Sequence, residues 1–193
     1  GTIAVPVNIE LQIARRYVSN NVGDCHSIPR SMNPSDHLST FLLQPRSTLD
    51  QMNASAYLEA IERVIVRIED WSVLCSQPLL SVWMSTYNHE AYINQALDSI
   101  LMQRTSFAYE IVIGDDKSTD YTCEILREYQ RCHHDKIRLR LANENLYSKG
   151  IKQSIGALHA CRGKYVALCE GDDYWTDPTK LQQQIDFLER HQD

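Results

Sequence analysis

The sequence predicts an α/β fold, a mainly parallel sheet flanked by helices over residues 78–193, preceded by an irregular and helical extension over residues 1–77. Three observations lead there. Downstream of Gln77-Pro78, short β-branched runs alternate with segments whose apolar residues repeat at helical spacing, the signature of βαβ units. The first of these runs is apolar at nearly every position, as expected of a strand covered on both faces. The runs also end in polar clusters, and in parallel sheets such clusters share the edge formed by the carboxyl ends of the strands.

Taken in order, residues 19–47 are rich in Ser, Asn, Pro and Asp and read as loop. Residues 48–74 place Leu58, Ile61, Ile65 and Ile68 at helical spacing with Val64 filling the stripe, so an amphipathic helix is expected there, packed on the domain that follows. Residues 79–85 (LLSVWMS) form the first strand of that domain. Ile93, Leu97, Ile100 and Leu101 then share one face of a helix that Asn88 would cap. Residues 109–114 (YEIVIG) are a second strand, stopping at Asp115-Asp116. Ile125, Leu126 and Tyr129 mark a helix starting near Ser118, and residues 137–141 a third, short strand. Ile151, Ile155 and Leu158 place a helix from about Ser148, ahead of a fourth strand over residues 164–169 (KYVALC). Asp177-Pro178 supplies an N-cap and a first-turn proline for a last helix, on which Leu181, Ile185 and Leu188 share a face.

Bulk properties narrow the function. The 193 residues hold one ordinary domain, or a smaller one with an extension, and 43% hydrophobic and 23% charged residues suit a globular protein. A net charge of −6 argues against a general nucleic-acid binder, which needs clustered Lys and Arg. It leaves open a phosphorylated small ligand whose charge one metal ion offsets. The six cysteines (Cys25, Cys75, Cys123, Cys132, Cys161 and Cys169) include no CxxC pair and read as buried free thiols of a cytoplasmic protein. On that reading the sequon Asn53-Ala54-Ser55 carries no weight. No apolar run approaches the roughly 20 residues that span a bilayer, and the first residues lack the basic and apolar regions of a signal peptide. The chain begins with Gly1 rather than Met, and is expected to be processed or part of something longer. Neither a P-loop nor GxGxxG occurs, and His133-His134 lacks ligand spacing.

The expected common edge carries Ser85-Thr86-Tyr87-Asn88, Asp115-Asp116 and Glu170-Gly171-Asp172-Asp173. Adjacent carboxylates repel unless a cation or solvent compensates, and hard oxygen ligands suit Mg²⁺ or Mn²⁺ with phosphates completing the shell. The plainer alternative makes Asp172-Asp173 an acidic turn before the last helix. Asp115 and Asp116 equally suit two uses: turning the chain into the next helix, or accepting a hydrogen bond from a nucleobase N–H while Tyr87 stacks on the ring. A calcium loop is ruled out, because Tyr121 and Arg127 stand where it needs Gly and Glu.

Three segments, LSVWMSTYNHEAYINQALDSIL, YEIVIGDDKSTDYTCEIL and GKYVALCEGDDYWTDPTKLQQQIDFLE, together resemble the family 2 glycosyltransferases in order and spacing. The last is especially similar to bacterial enzymes that build cell-surface polysaccharides. The resemblance implies the Rossmann-like, nucleotide-binding half of a GT-A fold and an inverting transfer from a nucleotide-sugar, a UDP-sugar above all, to a glycan or lipid-linked acceptor. It places Ser85 and Tyr87 in the base and ribose pocket with Glu90 near them, Asp116 on the base and Asp172 by the ribose or donor sugar. Asp173 holds the divalent metal (Mn²⁺ or Mg²⁺), and Lys149 contacts the donor. It also implies a cytoplasmic enzyme with no transmembrane segment, peripheral to the inner face of the membrane. The sequence departs from the family where Lys117 and Tyr121 replace glycines, and in offering no catalytic base, which the family draws from a later segment. A truncated or inactive nucleotide-sugar-binding module is therefore the alternative. A nucleotidyltransferase fits less well, since STYNHE is no Gly-rich phosphate loop.

Overall fold

The computed structural model describes residues 54–191 and the backbone of residues 13–15. The described strands are β1 (Ile13–Arg15), β2 (Ile65–Ile68), β3 (Leu80–Thr86), β4 (Tyr109–Asp115), β5 (Ile137–Ala142) and β6 (Tyr165–Leu168). They form a single sheet in the order β1-β6-β3-β4-β5-β2. The inner pairs β6–β3, β3–β4 and β4–β5 are parallel, and β1 and β2 close the two edges antiparallel. Every residue of β4 and β5, and all of β3 except half-buried Ser85, is buried. Both faces of the inner strands are covered, which is why β3 and β6 read as largely apolar runs, whereas β5 buries Arg138 and Arg140.

The period of two along each strand sends side chains to two separate cores. Val82, Met84, Ile111 and Ile113 face one side with Ile93, Leu97 and Ile100 of α2 (Ile93–Leu101), Leu126 of α3 (Thr122–Cys132) and Leu181 and Ile185 of α5 (Lys180–Arg190). Trp83, Val112 and Val166 face the other, with Ala157 of α4 (Gln153–His159) and Cys161. On α2 the buried positions Ile93, Ala96, Leu97 and Ile100 repeat at three and four residues, the stripe one helix face presents to a sheet.

The extension is where expectation and structure part. Residues 48–53 lie outside the described residues, as does the loop expected over 19–47. The rest of the expected helix is α1 (Ala54–Glu62) followed by β2, paired with β5 from Ile65 opposite Ala142 to Ile68 opposite Leu139. Ile65 and Ile68 satisfy both a helical and an extended pattern. The unpaired backbone groups along the edge of β5 decide for the strand, because strand addition satisfies them and covers the edge. Residues 65–68 are thus built into the sheet rather than appended to it. Ile61 is fully buried, and a Cβ on Gly156 would sit 2.7 Å from its Cγ2, so α1 and α4 meet at closest approach there.

Charged residues fasten the same region. Arg140 pairs with Glu62, and Arg138 with Glu69 at 2.7 Å and Glu110 at 3.1 Å. Glu110 also takes Arg162 at 2.6 Å and the Ser81 hydroxyl at 2.7 Å, so this buried carboxylate is fully engaged. The indole of Trp71 lies against the guanidinium groups of Arg138 and Arg162 at 4.9 and 4.8 Å.

Helix starts differ from expectation by a few residues. Asn88 does not cap α2: its Oδ1 accepts the Thr119 N–H at 2.7 Å, and Tyr92 stands at the N-cap without a side-chain bond. A 3₁₀ turn (Tyr147–Lys149) precedes α4, and α3 begins at Thr122 after the turn closed by Asp115. Thr179 rather than Asp177 stands at the N-cap of α5 and Pro178 lies outside the helix; Asp177 closes the turn before it, accepting the N–H and hydroxyl of Thr179 at 2.7 Å. Cys161 and Cys169 are buried as expected, Cys123 is half-buried, and Cys75 and Cys132 are exposed; all five are free thiols. No helix among the described residues is long and apolar enough to cross a membrane.

Candidate functional site

Parallel pairing sets the site. Thr86 stands opposite Asp115 across β3–β4, and Trp83 opposite Leu168 across β3–β6, so the three strands end at one edge. Backbone bonds carry the pairing past the strand ends: the Asp116 N–H donates to the Thr86 carbonyl at 3.2 Å, and the Gly171 N–H to the Ser85 carbonyl at 3.0 Å. Since β4 and β6 flank β3 on opposite sides, the two acidic clusters stand on either side of Ser85 and Thr86.

Asp115 and Asp116 do different work. Asp115 is fully buried and accepts the Ser118 N–H at 2.9 Å, the Ser118 hydroxyl and the Cys123 thiol at 3.1 Å, closing the turn after β4. Burial, and then that neighbour, push the Cys123 thiol up to about 12, so it stays protonated. The turn places Lys117 at φ 67°, where the resemblance expects Gly, whereas Tyr121 has an ordinary φ of −76°. Asp116 reaches across to the loop after β5, its Oδ1 accepting the Leu146 N–H at 2.8 Å and its Oδ2 the Tyr147 N–H at 2.9 Å. Burial pushes its carboxyl above the usual carboxylate range, against the lowering effect of those two N–H groups, and Asp115 adds to the rise.

The other acidic cluster is open to solvent. Asp172 and Asp173 are both exposed, and Asp172 Oδ2 lies 3.9 Å from Nε2 of His89 on the loop after β3. Glu170, half-buried behind them, is held above the ordinary range by burial and then by the charges of Asp172 and Asp173. Between the loops sits Gly171, where an added Cβ would lie 2.6 Å from His89 Nδ1 and 2.7 Å from Thr86 Oγ1.

The remaining expected site residues are placed unevenly. Ser85 and exposed Tyr87 lie at the rim between the clusters. Glu90 turns sideways: its carboxylate accepts the Tyr121 N–H at 2.9 Å, and its own N–H donates to Asp120 at 3.1 Å, which ties the loop after β3 to the turn after β4. Lys149 is on the 3₁₀ turn next to the residues Asp116 holds, and pairs with Glu144 at 2.6 Å. Thr86 was named by sequence only as part of the polar cluster ending β3, and His89 and Tyr147, on the loops after β3 and β5, were not singled out.

A divalent cation fits this donor set in one way. Among the described residues no three His, Cys, Asp or Glu side chains form a ready cage. The exposed carboxylates of Asp172 and Asp173 match the habit of Mg²⁺ and Mn²⁺ to take one or two carboxylates and complete the shell with water and phosphate oxygens. Clefts of about 430 Å³, beside Tyr109 and Lys136, and about 300 Å³, between the 117–120 turn and β5, are lined by none of Asp116, Asp172 or Asp173.

The rim agrees with what the chain resembles elsewhere. Residues 81–193 match the family described as Glycosyl transferase family 2. A protein of Mycobacterium tuberculosis is 45% identical over 113 residues, 58% of this chain and 32% of that protein. The UDP-Glc:alpha-D-GlcNAc-diphosphoundecaprenol beta-1,3-glucosyltransferase WfaP of Escherichia coli is 35% identical over 112 residues, 58% of this chain and 41% of the enzyme. Among solved structures, S. aureus TarS in complex with UDP superposes with a TM-score of 0.50 at 30% identity, covering 58% of this chain and 32% of TarS. The chain thus spans between about a third and two-fifths of the length of these relatives. The family match runs from the second residue of β3 through β6 and takes in every loop of the acidic edge, over more than half of the chain, and the chain belongs to glycosyl transferase family 2.

Proposed function

We propose that this chain is the donor-binding half of an inverting glycosyltransferase that takes a sugar from a UDP-sugar to a glycan or lipid-linked acceptor in cell-surface polysaccharide synthesis. One observation carries the reading: two acidic clusters flank Ser85 and Thr86 on a single edge, the edge where nucleotides bind in open α/β sheets. WfaP uses UDP-Glc and TarS binds UDP, which favours uridine nucleotides here.

In this reading Tyr87 stacks on the base. Asp116 accepts a base N–H with the lone pairs left after binding the Leu146 and Tyr147 amides, since each carboxylate oxygen can accept two. Ser85 lines the ribose, Asp172 faces the ribose or donor sugar, and Asp173 holds Mn²⁺ or Mg²⁺. A bound cation supplies positive charge for the departing diphosphate. Glu90 acts indirectly, by fixing the 118–122 turn. Lys149 reaches the donor after leaving Glu144. The general base is assigned to none of these residues. Donor binding without transfer is a second reading, favoured because no residue of the rim is assigned as general base. The site is proposed to work at the cytoplasmic face of the membrane.

Calorimetry with UDP tests binding: affinity should appear with Mn²⁺, vanish with EDTA, and fall tenfold or more in Asp173→Ala. Undiminished affinity in that variant would remove the metal role. Turnover of labelled UDP-sugar on a lipid-linked acceptor is expected to be weak or absent, and robust transfer would exclude the binding-only reading.

A further inference from the structure

The loop that carries Asp172 and Asp173 is seated in a cradle of unusual composition. Gly171 lies so near the loop after β3 that a Cβ would stand 2.6 Å from His89 Nδ1, 2.7 Å from Thr86 Oγ1 and 2.9 Å from Thr86 Cβ. No side chain but hydrogen fits. Thr86 is 2% exposed, and both Thr86 Oγ1 and His89 Nδ1 are buried without a hydrogen-bond partner. Leaving a buried polar atom unpaired is unfavourable, and such atoms are uncommon in folded proteins. Two of them against one glycine mark a place where local satisfaction has been given up for position. His89 is itself anchored, its N–H donating to the Thr122 hydroxyl at 2.9 Å, and the far end of its ring meets Asp172 at 3.9 Å. The Gly171 N–H is bonded to Ser85 and the Asp173 N–H to Glu170, so the backbone on either side of Asp172 is tied while its exposed side chain has the His89 ring nitrogen 3.9 Å away.

We propose that His89 is a positioning residue for the Asp172–Asp173 pair: with Thr86 it walls the cradle that seats Gly171, and its outer nitrogen sets the direction of Asp172. The loop after β3 thereby decides where the carboxylates stand before any ligand arrives. This deepens the nucleotide-sugar reading and rests on it for its functional consequence, though the positioning itself is a property of the free chain. Preorganisation of this kind matters because a displacement of about 1 Å at a binding carboxylate is enough to lower affinity or rate by roughly a hundredfold.

The test uses the 193-residue chain and three variants, His89→Ala, His89→Gln and Gly171→Ala. Amide hydrogen exchange of the free protein is read first. The Gly171 and Asp173 amides should exchange at least tenfold faster in His89→Ala and Gly171→Ala, with the amides of β4 unchanged. Calorimetry with UDP is then run across a Mn²⁺ series. His89→Ala should need severalfold more Mn²⁺ for half-maximal UDP binding. His89→Gln, whose amide can reach the place of the outer ring nitrogen, should recover most of the wild-type value. A purely packing role would move the melting temperature of all three variants and leave the Mn²⁺ requirement alone. Unchanged exchange at Gly171 and Asp173 in His89→Ala overturns the proposal, as does a Gln variant no better than Ala in both measurements. Should the wild-type chain bind no UDP with Mn²⁺, the nucleotide-sugar reading fails, and the exchange data still decide whether His89 positions the loop.

Discussion

Asp116 binds the backbone of Leu146: its Oδ1 accepts that N–H at 2.8 Å, while Oδ2 accepts the next one, from Tyr147, at 2.9 Å. A carboxylate at the end of β4 thus holds the turn that follows β5, and two loops far apart in sequence become one side of the rim. Removing the acceptor leaves two amides short of a partner, one of them in buried Leu146. Asp116→Ala should therefore destabilise by about 1–3 kcal/mol and weaken UDP binding more than tenfold. Urea unfolding and calorimetry check the two halves; full UDP affinity in this variant would deprive Asp116 of any part in the site.

Glu110 predicts the acid limb of stability. Burial alone would raise its carboxyl, but hydrogen bonds from the Arg162 guanidinium, the Ser81 hydroxyl and the Arg162 N–H, with the charge of Arg138, bring it below the ordinary range. A carboxyl depressed in the folded state gives up its proton more readily there than in the unfolded chain. Its contribution is fully present above the unfolded value near about 4.3 and is lost as pH falls through the folded one. Glu110→Gln should be less stable at neutral pH by about 3 kcal/mol, since it takes the buried carboxylate from Arg162 and leaves Arg138 paired with Glu69 alone. The difference from wild type should narrow as the medium is acidified. Urea midpoints measured from neutral to acid pH give the answer, and a constant gap would contradict the assignment.

Ile61 lies outside the family match yet at the centre of a core, 0% exposed with Ala142 and Leu146. Ile61→Ala should cost about 2–4 kcal/mol. Gly156→Ala should also destabilise, by about 1–3 kcal/mol, because the new methyl would stand 2.7 Å from Ile61. The double variant should lose less than the sum, since the shortened side chain makes room for the methyl. Strict additivity would mean that α1 and α4 do not meet as described.

Lys117 sits at φ 67° on an exposed turn. An L-residue there is disfavoured by about 1–2 kcal/mol, and glycine regains most of that while losing more chain entropy on folding. Lys117→Gly should stabilise by up to about 1 kcal/mol, or about 2–4 °C in Tm. A fall in Tm would show that the lysine side chain makes a contribution of its own.

Much of the fold was legible because each signal is local. The run from Leu80 to Thr86 and the stripe Ile93, Leu97, Ile100 name a buried strand and an amphipathic helix without reference to neighbours, and α/β alternation then implies a parallel sheet whose polar ends converge. The extension was misread for the same reason in reverse. Ile65 and Ile68 serve a helix or a strand equally, and only the open edge of β5 chooses. Asn88 was legible as a polar residue past a strand end and Glu90 through the family resemblance, but their partners, Thr119 and Tyr121, are some 30 positions away, as is the loop that Asp116 holds.

By itself the sequence determined the strand and helix order from Leu80 onward and the set of acidic residues at the strand ends, since periodicity and residue type express covalent geometry and solvation residue by residue. Only the tertiary structure decided which of those residues stay free at the rim. Asp172 and Asp173 remain open to solvent, whereas Asp115, Asp116 and Glu90 are bound to backbone amides. Hydrogen-bond partners are allotted by which loops fold next to one another, and that adjacency is a property of the assembled sheet.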